Sequence, residues 1–178
     1  MSVVLQQITD SARLRGRHGR RVVALAGFAA CVSGLLAAYG LEFIGGMEPC
    51  PLCILQRVAL FGLGVVFLAS AIHAPGRLGG RIYGVLLVVA AGVGAGIAGR
   101  HLWLQSLPPD QVPACGPGLD FLLAAFPLQD ALSLVLQGSG QCAEVEKVLG
   151  VTLPAWTLGA FLLLGLGGLW GHWRAERG

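Results

Sequence analysis

Apolar residues along the chain gather into four long blocks, separated by short polar stretches and once by a long mixed segment. The blocks run over roughly 22–44, 54–72, 82–104 and 154–173, each near the ~20 residues that a helix needs to cross about 30 Å of hydrocarbon. The pattern predicts an all-α membrane protein, a bundle of four transmembrane helices in one integral membrane domain spanning 1–178. Two loops, about 45–53 and about 105–153, emerge on the same side. A basic stretch precedes the first block, as in a secretion signal. That block outruns the roughly 7–15 apolar residues of a signal's central region, and matching blocks follow it.

One further segment is apolar, 119-LDFLLAAFPLQDALSLVLQ-137, but Pro127 and Asp130 interrupt it. As a fifth span it would put its two flanking cysteines on opposite sides of the membrane and carry the basic C-terminal tail across. It is expected instead to hold a short helix lying in the membrane interface.

Composition fits this picture. Of 178 residues, 55% are hydrophobic and only 12% are charged, against about 25% charged in soluble domains. The 28 glycines suit membrane helices, which tolerate glycine. No soluble domain carries basic residues interleaved with aromatics, so nucleic-acid binding is not indicated. The charges also orient the chain. Arg13, Arg15, Arg17, Arg20 and Arg21 precede the first block, Arg77 and Arg81 lie between the second and third, and Arg174 and Arg177 follow the fourth. Positive residues favour the cytoplasmic side, so both termini are expected there. Glu48, Asp110, Asp120, Asp130, Glu144 and Glu146 fall in the outer loops.

The five cysteines follow the same division. Cys50 and Cys53 lie in the short outer loop and Cys115 and Cys142 in the long one. Cys31 sits within the first block, where it reads as a small buried side chain. In an oxidising compartment the outer cysteines suggest two disulfides, Cys50–Cys53 and Cys115–Cys142. The first closes so short a loop that it stabilises little. A Cys-x-x-Cys pair at a helix start is instead suited to exchange, because the helix N-terminus favours a thiolate. Pro51 fits a first helical turn and places Cys53 in that turn.

Arg57 follows Cys53 by one turn, on the same helix face. An arginine inside a span is costly unless it is paired or faces a polar site. It can snorkel to head groups, or it can stand as a fixed cation beside the Cys53 thiolate and a quinone, whose reduction builds oxyanion charge. The third block ends 99-GRHLWLQSLPP-109. There Trp103 is a candidate interface anchor. His101 is a candidate quinone-oxygen donor or proton relay, unless Arg100 and His101 simply meet water. The run 92-GVGAGIAG-99 lies inside a span and reads as a small-residue packing face. A four-cysteine zinc site would need a second closely spaced pair, haem attachment would need histidine after Cys53, and no metal ligand set is assigned.

The segments 50-CPLCILQR-57, 100-RHLWLQSLPP-109, 139-SGQCAE-144 and 154-PAW-156, with Cys115 between them, resemble the disulfide bond formation protein DsbB family. The resemblance covers nearly the whole chain. It implies a bacterial inner-membrane enzyme that reoxidises a periplasmic DsbA-like dithiol protein and passes the electrons to ubiquinone or menaquinone. It implies that Cys50 and Cys53 form the quinone-proximal pair, with Cys53 and Arg57 at the quinone and His101 near it. Cys115 and Cys142 would be the mobile pair, with Cys115 taking the mixed disulfide. The chain departs from the family pattern at 142-CAEVEKVLG-150, which is short and lacks the usual aromatic segment. Two other readings compete. A vitamin K epoxide reductase-like enzyme also couples thiols to a quinone, but carries its Cys-x-x-Cys in a late span. A disulfide-stapled scaffold would show no turnover.

Overall fold

The computed structural model describes residues 2–108, 110–112, 121, 124–143, 145 and 147–174, with side chains from Gly16 onward. Among the described residues, four helices are long and apolar enough to cross a membrane. Helix α1 runs Ser2–Phe43 and is apolar over Gly16–Phe43; α2 spans Pro51–His73 and α3 spans Arg77–Gln105. The long segment that follows holds α4 (Leu128–Gln137), the single turn α5 (Gly140–Ala143), and a hairpin of β1 (Lys147–Val148) and β2 (Val151–Thr152). Helix α6, Leu153–Arg174, completes the bundle.

The four long helices close a ring in which α1 packs on α2, α2 on α3, α3 on α6 and α6 on α1. The spans are longer than the hydropathy blocks: α3 begins at Arg77 rather than near 82, and α2 at Pro51 rather than near 54. Polar helix ends carry too little hydropathy to mark a boundary, yet their backbones keep the helical hydrogen bonds.

Leu63, Phe67, Leu87, Ala91 and Phe161 fill the bundle core together with Ala24, Cys31 and Ala71. Cys31 is buried there, as its position in an apolar block predicts. The run 92–99 presents a small-residue packing face through Gly94 and Ala98, which are buried in line with Ala91. Of its glycines, Gly94 alone meets a neighbour, the Phe161 ring, where any side chain would collide; Gly92, Gly96 and Gly99 face open space. Gly84 against Leu169, and Gly165 and Gly168 of α6 against Ala91 and Leu87, add further close approaches along the α3–α6 contact.

At one end of the bundle a tight connection joins α2 to α3. The Ala74 N–H bonds the Ser70 carbonyl to cap α2, Arg17 Nε donates to the Ala74 carbonyl at 2.9 Å, and Arg20 Nε donates to the Pro75 carbonyl at 3.0 Å. Two arginines of α1 thus satisfy carbonyls that the helix end leaves without partners.

At the opposite end lies the long segment. Pro127 stops any continuous span, and α4 has ten residues, about 15 Å of rise, too short to cross hydrocarbon. Ala131 and Val135 face inward while Leu128 and Leu132 are exposed; α4 is amphipathic, the form expected of an interfacial helix. The β1–β2 hairpin is absent from the all-α expectation. Its turn residues Leu149 and Gly150 both adopt positive φ (53° and 82°), and the 149–150 pair lacks the Asn-Gly or Asp-Gly signal that marks such turns. Trp156 Nε1 donates to the Val148 carbonyl at 3.1 Å and fastens the hairpin to α6.

Candidate functional site

Cys50 caps the N-terminus of α2 with extended backbone angles (φ −67°, ψ 161°), and Pro51 takes the first helical turn, where its missing N–H costs nothing. The Cys53 N–H donates to Cys50 Sγ at 3.4 Å, so a thiol fills the place usually held by a serine or aspartate oxygen. The Cys50 and Cys53 sulfurs stand 3.2 Å apart. Both stand here as free thiols.

Cys142 comes to the same place from the long segment. It is fully buried in a cluster with Cys50, Leu52, Leu104, Ala131 and Val135. Its thiol hydrogen-bonds to Cys50, and the Leu52 N–H at the start of α2 points at its sulfur. The hydrogen bond to Cys50 and burial hold the Cys142 thiol above the ordinary thiol range. Cys50 is therefore the junction of the two loops, touching Cys53 on one side and Cys142 on the other. Cys115 falls outside the described residues.

Two devices seat Cys142. Arg100 Nε and Nη2 donate to the carbonyls of Leu136 and Gln137 at 3.1 and 3.0 Å, capping the C-terminus of α4. The same guanidinium stacks over Trp103, 4.1 Å from the ring centre. Gly138 then turns the chain at φ 87°, pressed so close to Leu104 that a Cβ would collide with it. Arg100 thus holds the Cys142 segment; it does not simply meet water at a helix end.

Arg57 faces α1. It pairs with Glu42, donates Nη2 to the Ala38 carbonyl at 3.1 Å, and lies 4.9 Å over the Tyr39 ring. A span arginine needs such partners. Glu42 does not figure among the residues singled out from sequence. Its signal was available: an acidic residue at the end of the first block, level with Arg57.

Beside this pair a cavity of about 110 Å³ opens among α1, α2 and α6, lined by Cys53, Gln56, Arg57 and Glu42 and walled by Leu41, Leu60, Leu153, Ala160 and Phe161. It joins an apolar slot to one thiol and one cation, and the five N–H donors of an arginine exceed the two that Glu42 and Ala38 engage. Such a lining suits a flat apolar carbonyl compound.

His101 stands elsewhere. It is 3% exposed and lies behind the Cys-x-x-Cys pair, with one ring nitrogen 3.8 Å from Cys50 Sγ and the other 3.1 Å from Gln56 Nε2. It is not among the residues lining the cavity. Gln56 in turn meets Thr157 of α6. Neither Gln56 nor Thr157 was marked by sequence, since an uncharged residue in a span carries no signal that separates it from packing.

The profile of the family "Disulfide bond formation protein DsbB" matches residues 20–171. The chain is 54% identical over 151 residues to the disulfide bond formation protein B of Nitrosococcus oceani, covering 84% of this chain and 89% of that protein. It is 49% identical to that of Methylococcus capsulatus, covering 88% and 96%, and 46% identical to that of Chromobacterium violaceum, covering 93% and 98%. With a four-helix membrane bundle and a Cys-x-x-Cys pair at the head of its second span, the chain is a multi-pass membrane protein that belongs to the DsbB family of disulfide bond formation proteins.

Proposed function

We propose that the protein is a quinone-dependent thiol–disulfide oxidoreductase of the bacterial inner membrane, which reoxidises a periplasmic DsbA-like dithiol protein. The observation that carries this reading is the placement of Cys50 between Cys142 and Cys53, with Cys53 on the wall of the cavity that also holds Arg57.

The thiol steps follow from that order. A reduced partner dithiol attacks Cys115 of a Cys115–Cys142 disulfide and frees Cys142. Cys142 attacks Cys50, the Cys50–Cys53 bond breaks, and its electron pair passes to Cys53. The partner's second thiol then completes its own disulfide, breaking the mixed disulfide and releasing Cys115 as a thiolate that attacks Cys142 and frees Cys50. Each exchange needs a thiolate attacker and an accessible sulfur. Arg57 favours negative charge at Cys53 and on a neighbouring oxygen, since a guanidinium is a strong donor to both. Ubiquinone or menaquinone bound in the cavity would supply an acceptor for two electrons and two protons. The slot walled by Leu41, Leu60 and Phe161 would hold the ring, and Arg57 would face a ring oxygen.

The orientation has its own support. Arg17, Arg20, Arg77, Arg81 and Arg174 all fall at the bundle end away from Cys50, and basic residues mark the cytoplasmic side. Both termini are then cytoplasmic and the thiols periplasmic.

The test is quinone reduction by purified protein in liposomes, given a reduced DsbA-like protein, with Cys53→Ser as control. Loss of quinone absorbance in the intact protein alone is expected. A folded protein that reduces neither ubiquinone nor menaquinone would return the scaffold reading.

A further inference from the structure

The polar chain behind the thiols has a direction. Thr157 Oγ1 lies 2.6 Å from Gln56 Oε1. It is also 3.0 Å from the Pro154 carbonyl, and its single hydrogen goes to the nearer oxygen. That contact fixes the Gln56 amide with its oxygen toward Thr157 and its NH2 toward His101. The NH2 group can only donate, so the His101 Nδ1, 3.1 Å away, is the acceptor. A neutral imidazole with Nδ1 as acceptor carries its hydrogen on Nε2. Nε2 is the nitrogen 3.8 Å from Cys50 Sγ. All members are buried or half-buried: Gln56 5% and His101 3% exposed, in a region where an unmatched polar group is costly.

From this geometry we propose that Thr157 and Gln56 are positioning residues that hold His101 as a hydrogen-bond donor to Cys50, so that His101 serves the junction cysteine as it leaves a disulfide. The proposal rests on the thiol-exchange reading above and adds roles to three residues. The step is an exchange with no net change of oxidation. When a thiolate attacks Cys142 in a Cys50–Cys142 disulfide, a new bond forms to Cys142 and the old S–S bond breaks. The electron pair goes to Cys50 Sγ, where the Nε2–H receives the charge. The groups facing Cys50 are Cys53 and its backbone N–H on α2, Cys142 on α5 and His101 on α3, with Arg57 one turn beyond Cys53. Of these, His101 is the side chain whose donor state is set by two further residues.

The test uses the full chain with Cys31→Ala, Cys53→Ser, Cys115→Ser and Cys142→Ser, so that Cys50 alone reacts, and follows its alkylation by iodoacetamide against pH. His101→Phe and Gln56→Leu should slow alkylation at pH 7 by about tenfold, the scale of one charge-assisted hydrogen bond, and move the profile to higher pH. Thr157→Val should move it the same way by less. Gln56→Glu should not: its carboxylate draws a hydrogen onto Nδ1 while Nε2 keeps its own, so Cys50 stays at least as reactive. General damage to the fold would not produce opposite results at one position. Unchanged profiles in His101→Phe and Gln56→Leu, or slowing by Gln56→Glu equal to that by Gln56→Leu, would overturn the relay. Quinone reduction by the unsubstituted protein is read separately. Turnover with flat profiles removes only the relay, and shifted profiles without turnover remove only the function proposed above.

Discussion

Arg57 of α2 forms an ion pair with Glu42 of α1 at the edge of the cavity that Cys53 lines. The pair settles how a cation is tolerated inside an apolar helix, and it leaves that cation beside a thiol. Removing one member leaves the other charge without its partner, at a cost of about 1–3 kcal/mol. Arg57→Ala is therefore expected to lower the unfolding temperature in detergent, raise the KM for quinone, and leave thiol exchange between Cys115 and a dithiol partner intact. Unchanged quinone kinetics would remove Arg57 from the acceptor site. Glu42→Gln keeps a hydrogen-bond acceptor for Arg57 and should lose less stability than Arg57→Ala.

The raised Cys142 thiol gives a pH prediction. Its folded value lies above the ordinary thiol value of about 8.5. The stabilising contact of the protonated thiol is then fully present below that ordinary value and is lost as pH rises through the folded one. Cys142 in reduced protein should alkylate slowly at pH 8 and faster only under strongly alkaline conditions. Cys50→Ala removes the hydrogen bond that is the larger cause and should speed the reaction at pH 8. Equal rates in the two proteins would show that the contact with Cys50 does not hold the thiol.

Gly138 tests the seat of the same cysteine. At φ 87°, with Leu104 of α3 against the position of a Cβ, Gly138→Ala is strained by more than about 1 kcal/mol and must push the chain leading into α5 away from α3. The yield of oxidant-induced linkage between Cys50 and Cys142 should fall, while Gly96→Ala, which meets open space, should leave it unchanged.

Cys31 is buried in the bundle core, far from the exchange centre. Cys31→Ala should leave turnover unchanged and cost about 1 kcal/mol of stability from lost packing. A loss of turnover would give this fifth cysteine a part in the chemistry.

The four spans were legible because each apolar block matches the thickness of hydrocarbon, and Pro127 and Asp130, with the sides on which the flanking cysteines and the basic tail would fall, were enough to demote the fifth segment. The outer cysteines were legible as two pairs because spacing and loop position sort them. The contacts that position them were not. Glu42 meets Arg57 only after α1 and α2 pack, and Thr157 reaches Gln56 only because α6 closes the ring. The seating of Cys142 on Cys50 joins residues far apart in the chain and depends on Arg100 capping α4, which no local pattern announces. The hairpin at 147–152 was hidden because Leu149 takes a positive φ that its residue type disfavours.

The central claim is that Cys50 exchanges partners between Cys53 and Cys142, and disulfide mapping tests it most directly. Cys53→Ser protein, treated with oxidised partner and digested, should yield a peptide pair linked through Cys50 and Cys142. Protein in which Cys142 is recovered linked only to Cys115, with Cys50 always a free thiol, would contradict the account.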